Sequence, residues 1–320
     1  MTRLAPAALV MALLACEPTG GAGTTGAATA SAPSATPSTT VAASDGERAT
    51  DQPQLRFSIE GRPIRSLPLG ELKAKVEPVR FTAFDGYYHK PKTFEALELR
   101  AVLAVGFAGQ DLDFAQQHYV LRATDGYTVP IDGKRLLEPG AYLAIDDLDT
   151  ADGWEPLGRK AVDPGPFYLV WRGDAQQEIE TYPRPYQLAE IAIESFDRTF
   201  PRTVPTGLGD DTPAGRGFAL FREQCIRCHA INQQGGKVGP ELNVPQSVVE
   251  YRDEALLRRY IRQPSQFRYG NMPDNPYLSD ADLDGLIAYF RAMSQRKQDP
   301  KGEAAPKSGD AVEPKESAAP

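Results

Sequence analysis

The chain has 320 residues, with 35 basic against 43 acidic side chains and a formal net charge of −8. An acidic balance without a broad basic face does not suggest a nucleic-acid binder that works by phosphate neutralisation. Cysteine and histidine are scarce, three of each, so any place where they cluster carries information.

The first sixteen residues, MTRLAPAALVMALLAC, have one early Arg, a short apolar run and small residues before Cys16. That run is the length of an export signal and too short to span a bilayer as a mature helix. Leu13-Leu14-Ala15-Cys16 resembles a bacterial lipobox, which implies a signal peptide over 1–15 and a diacylglycerol on Cys16; an ordinary cleaved signal is the alternative. Acyl chains contribute about 0.8 kcal/mol of membrane affinity per buried CH₂, so a lipidated Cys16 would anchor the protein. The expected location is periplasm-facing, and Glu17 resembles the residue that sorts to the outer membrane. Residues 16–52 are rich in Ala, Thr, Ser, Gly and Pro and read as a disordered tether with a span of roughly 30 Å.

Residues 53–200 pattern as a β-rich α+β domain, with runs such as VRFTAF, LRAVLAVGF, HYVLRAT, AYLAI, FYLVW and LAEIAIESF between Gly, Pro and Asp turns. ATDGYTVPI, YLAIDD, DPGPFYLVW and YQLAEIAI resemble, in that order, the sulfite-oxidase-type molybdopterin-binding fold. That family holds molybdenum through a cysteine thiolate, and this region contains no cysteine. The expectation is therefore a relative without molybdenum or molybdopterin that docks partners, orients its neighbour or binds a small molecule. His89 and His118 are lone histidines and read as structural.

Pro, Gly and Asp cluster over 201–212, a linker by composition. A helix opens at Thr212 with Pro213 at its first position, and Ala214, Phe218, Phe221 and Cys225 share a stripe that ends in CIRCHAI. At this composition a C-x-x-C-H string arises by chance about 3 times in 10,000 chains, which disfavours coincidence. Two thiols three residues apart can add to the two vinyl groups of a haem while His229 offers its imidazole to the iron. A zinc half-site lacks further ligands nearby, and a thioredoxin-type pair would open a helix rather than close one. A last helix is expected after Ser279 and Asp282, a capping box, with Leu283, Leu286, Ile287 and Phe290 on one face.

Residues 213–297 resemble a class I cytochrome c domain: Gly217 and Phe221 stand eight and four residues before Cys225, and LIAYF (286–290) is similar to the family's last helix. The resemblance implies an all-α fold around one haem c, bound through Cys225 and Cys228 with His229 as proximal ligand. It further implies that the Pro240 carbonyl fixes the His229 ring and that Met272, in YGNMPDNP, is the distal ligand. Met293 continues a helix stripe and reads as core. An open iron position, or His89 or His118 as distal ligand, stays an alternative. Arg258, Arg259, Arg262 and Arg268 read mainly as solvated, with haem propionates or an acidic partner as their other use. Residues 211–297 hold 12 basic and 10 acidic side chains, so the rest of the chain carries −10. Residues 298–320 are charged and Pro-rich and read as a disordered tail.

With two protein ligands on the iron, the expected function is one-electron transfer between periplasmic or membrane redox proteins by a lipid-anchored c-type cytochrome. The alternative is a two-domain oxidoreductase whose upstream domain binds an unusual cofactor or substrate and feeds the haem. A haem-based sensor would need a displaceable Met272.

Overall fold

The computed structural model describes residues 52–158, 160–268, 270 and 272–299; Cys16, the tether and the tail beyond 299 lie outside them. The upstream strands are β1 (Gln54–Ile59), β2 (Arg62–Pro68), β3 (Val79–Asp85), β4 (Lys90–Glu98), β5 (His118–Ala123), β6 (Thr128–Asp132), β7 (Ala141–Asp147), β8 (Tyr168–Trp171) and β9 (Leu188–Ile193). Between them run α1 (Leu69–Lys75), α2 (Leu99–Gly106) and α3 (Gly133–Leu136), and α4 (Phe196–Thr199) follows β9. Two sheets result, ordered β2-β1-β9-β5-β6 and β3-β4-β7-β8. The β1–β9 pair is parallel, while the other neighbours are antiparallel.

Alternation along the strands builds two apolar layers. In β8, Leu169 and Trp171 join the main core with Leu97, Leu143 and Ile191, whereas Tyr168 and Val170 face a second layer with Phe81, Phe94 and Ala144. LRAVLAVGF, read as a strand, is instead α2: Leu99, Val102, Leu103 and Gly106 are buried at helical spacing. The β-branched residues suggested a strand, and the 3.6-residue burial pattern overrode that preference. Gly106 is needed there, since a Cβ would stand 2.2 Å from the Phe57 ring.

The C-terminal region is helical, with α5 (Pro213–Glu223), α6 (Val248–Tyr251), α7 (Glu254–Arg262), α8 (Asp280–Ser294) and a two-residue ribbon of β10 (Ala230–Ile231) and β11 (Gln234–Gly235). Thr212 Oγ1 accepts from Gly215 N–H at 3.0 Å to cap α5, and Ser279 with Asp282 forms the capping box of α8. The two helices cross at glycines. A Cβ on Gly217 would lie 1.9 Å from the Gly285 carbonyl oxygen, so the close approach requires the missing side chain.

The helical core is not built from helices alone. Val120 of β5, Phe196 and Phe200 pack with Phe221, Ile226, Leu286 and Tyr289. Residues 201–203 are tied to the same core: Tyr289 Oη donates to the Thr203 carbonyl at 2.7 Å, and Asn232 Nδ2 donates to the Arg202 carbonyl at 2.9 Å. No helix among the described residues is long and apolar enough to cross a membrane.

Candidate functional site

Helix α5 ends at Gln224, and the chain turns at once through a 3-10 turn, Cys225–Arg227. His229 N–H donates to the Cys225 carbonyl at 2.9 Å, which stacks both thiols and the imidazole on one tight coil. The loop 236–240 wraps this coil: Gly236 N–H donates to the Ile226 carbonyl at 2.8 Å and Gly239 N–H to the Cys228 carbonyl at 2.7 Å. His229 Nδ1 donates to the Pro240 carbonyl at 2.9 Å, which fixes the tautomer and leaves Nε2 free as a ligand. A Cβ on Gly239 would meet the His229 ring at 2.5 Å, so glycine lets backbone and imidazole lie in contact.

Burial lowers the His229 pKa, and the Arg268 charge adds to this against the Pro240 hydrogen bond, which raises it. A neutral imidazole is the form that ligates iron. Burial also pushes the thiols up, Cys225 to about 12 and Cys228 to about 11, and both are free of any disulfide.

Three residues with structural roles here carry no signal in the sequence. Glu241 accepts from the backbone N–H groups of Asn232, Gln233, Asn243 and Val244 at 2.9–3.2 Å, gathering the loop behind the histidine. Asn243 Nδ2 donates to the Met293 carbonyl and to Asn232 Oδ1, both at 2.8 Å, and so ties that loop to α8. Arg227, an unspecified position of the motif, is buried. Its guanidinium donates to the carbonyls of Ile179 at 3.2 Å and Glu180 at 2.6 Å in the upstream fold.

Met272 is half-buried in the irregular segment before α8. Its neighbours are braced on the end of α7: Asp274 accepts from Ser265 N–H and Oγ at 3.0 and 2.7 Å, and Asn275 reaches the carbonyls of Arg262 and Ile261, both at 2.8 Å. Met293 is 1% exposed, filling the core. Of the arginines, Arg258 pairs with Glu254 and Asp284 and Arg262 with Asp280, while Arg259 and Arg268 lie over Phe267 and Tyr260. His118 pairs with Asp132 at 2.6 Å on the upstream surface, and His89 sits in an exposed turn at positive φ.

Residues 212–290 match the family described as cytochrome C oxidase, cbb3-type, subunit III. The C-terminal region is a cytochrome c domain. Over 91 residues the chain is 37% identical to cytochrome c oxidase subunit 2 of Alkalihalophilus pseudofirmus, a match that covers 26% of this chain and 26% of that protein. The chain therefore spans about a quarter of the relative's length. A cytochrome domain implies haem-based electron transfer, and its residues fit a haem. Gly239 and Pro240 hold an imidazole with one free nitrogen beside two thiols, and Tyr260 Oη on α7 is buried without a hydrogen-bond partner among the described residues.

Proposed function

We propose that the chain is an exported, lipid-anchored electron carrier with one haem c and no molybdopterin. Its upstream fold is a relative of the sulfite-oxidase-type domains that has lost the metal cysteine and serves as a docked adaptor. Cys225 and Cys228 would bind the haem covalently, His229 and Met272 would supply the protein ligands of its iron, and Cys16 would carry the lipid. Redox proteins of the periplasm or membrane are its donor and acceptor. When bound, the haem supplies a one-electron ferric/ferrous couple, and a thioether ligand favours the ferrous side.

The observation that carries this reading is the coil 225–229, which sets two thiols beside an imidazole whose Nδ1 is already committed to Pro240. The chain's own part in the chemistry is positional. Pro240 orients the ring, Gly239 makes room for it, and the Asp274 and Asn275 brackets hold the segment that bears Met272.

The test is haem analysis of the protein and of three variants. The natural protein should keep its haem through acid-acetone extraction, and Cys225→Ala with Cys228→Ala should release it. Met272→Ala should keep covalent haem, lose the near-infrared signature of Met ligation, bind carbon monoxide and show a lower midpoint potential. Free haem extracted from the natural protein, or stoichiometric molybdenum on metal analysis, would overturn the reading.

A further inference from the structure

The face of the cytochrome domain that carries Cys228 is closed by the upstream fold. β6 packs on the turn Cys225–Arg227, Arg227 is held by the carbonyls of Ile179 and Glu180, and Lys237 N–H donates to the Gly126 carbonyl at 3.0 Å. Backbone fits closely across this contact, since a Cβ on Gly126 would come 2.9 Å from Lys237 Cβ; within the upstream fold, one on Gly86 would come 2.7 Å from Ile179, the residue that holds Arg227. A redox partner therefore cannot approach a haem on Cys228 from this side without first meeting the upstream fold.

What the upstream fold presents there is aromatic. Tyr127 follows Gly126, whose carbonyl takes the Lys237 N–H, and Tyr87 follows Gly86, which packs on the same Ile179 whose carbonyl holds Arg227, so both tyrosines stand at this seam. From Tyr87 the rings continue inward, with centroid separations of 6.2 Å to Tyr186, 6.5 Å from there to Tyr168 and 6.3 Å on to Trp154. Trp154 is half-buried and follows the exposed residues 151–153. Polar bonds fix the array: Tyr168 Oη donates to the buried Asp85 carboxylate at 2.9 Å, and Asp85 lies 3.5 Å from Arg184. Burial holds the phenols of Tyr87 and Tyr168 well above their usual pKa, so both stay neutral.

We propose that Tyr87, Tyr186, Tyr168 and Trp154 form the electron path between the haem and an exchange point on the upstream surface at Trp154. The proposal rests on the haem reading of Cys225–His229. In the reducing direction an external one-electron donor gives up one electron at Trp154, and the ferric iron takes it to become ferrous. The rings couple the two ends as neutral groups, so no ring is oxidised and no proton moves.

The test is an intramolecular rate. In full-length protein carrying Cys16→Ser, Asp152→Cys provides a single free thiol for a ruthenium polypyridyl label. Its photoexcited Ru(II) passes one electron to the ferric haem and becomes Ru(III). Tyr186→Leu and Trp154→Leu should each slow haem reduction severalfold, while Tyr186→Phe, which keeps a ring, should restore the rate. The midpoint potential and haem spectrum serve as controls. Equal rates in the folded Leu and Phe variants at position 186 would overturn the path, even if the Trp154 variant fails to fold. Failure of the haem reading is separate, since the labelled parent would then show no covalent haem.

Discussion

Gly239 is where backbone and imidazole come closest, and the contact gives a sharp expectation. Gly239→Ala would set a methyl 2.5 Å from the His229 ring, forcing it to tilt off the Pro240 carbonyl. Overpacking of this kind costs about 1–3 kcal/mol, and the lost hydrogen bond adds roughly 0.5–1.5 kcal/mol. The expected outcome is a lower ratio of covalent haem to protein, read from absorbance against amino-acid analysis, with a broadened ferric spectrum. The clustering of Cys225, Cys228 and His229 on one coil was legible because all three fall within five residues. Arg227 and Glu241 were not. The role of Arg227 exists only because Ile179 and Glu180, some 47 residues away, come to lie over it. Glu241 is an ordinary surface carboxylate until four backbone N–H groups turn toward it.

At the scale of elements, the crossing of α5 and α8 and the capping of α8 make separable predictions. Gly217→Ala pushes a methyl onto the Gly285 carbonyl and should lower stability by about 1–3 kcal/mol or more in denaturant unfolding. Met293→Ala should cost about 2–5 kcal/mol by leaving a cavity, with the ligand spectrum unchanged. The cap is pH-dependent. Hydrogen bonds from the Ser279 hydroxyl and N–H hold Asp282 below the usual carboxylate range. A depressed folded pKa means that its contribution is present above the unfolded value of about 3.9 and is lost as pH falls through the folded pKa. Asp282→Ala should therefore destabilise α8 by about 0.3–1 kcal/mol at neutral pH, and the difference should shrink in acid. Helix ends were readable because Thr212, Pro213 and Ser279 act within one turn. α2 was not, because Val and Leu fit either period until the fold shows which faces are buried. β2 gives little signal, since Leu67 is its only buried residue.

For the whole molecule, the decisive fact is the core that both regions share. Val120, Phe196 and Phe200 come from the upstream part of the chain and pack with residues of the cytochrome domain. Burying one such side chain contributes about 1.5–3 kcal/mol, so a fragment beginning at residue 201 should lose several kcal/mol. Calorimetry should show a lower Tm and limited proteolysis faster cleavage, while the haem-ligand spectrum persists if both ligands lie after residue 213. A lost ligand spectrum would mean that the upstream fold supplies one of them. Composition separated the two regions correctly as a β-rich and a helical part. It could not show that they share a core, because Val120 looks like any other strand valine.

The place of β9 has a consequence for how the chain folds. This strand lies between β1 and β5, so the first sheet stays in two pieces until residues 188–193 are in place. The residues that come next, Phe196 and Phe200, already belong to the helical core. Long-range pairing is slow to form, and here its last step is followed at once by the first apolar residues of what comes after. Completion of one fold thus brings in the first residues of the next, and the order along the chain becomes the order of assembly.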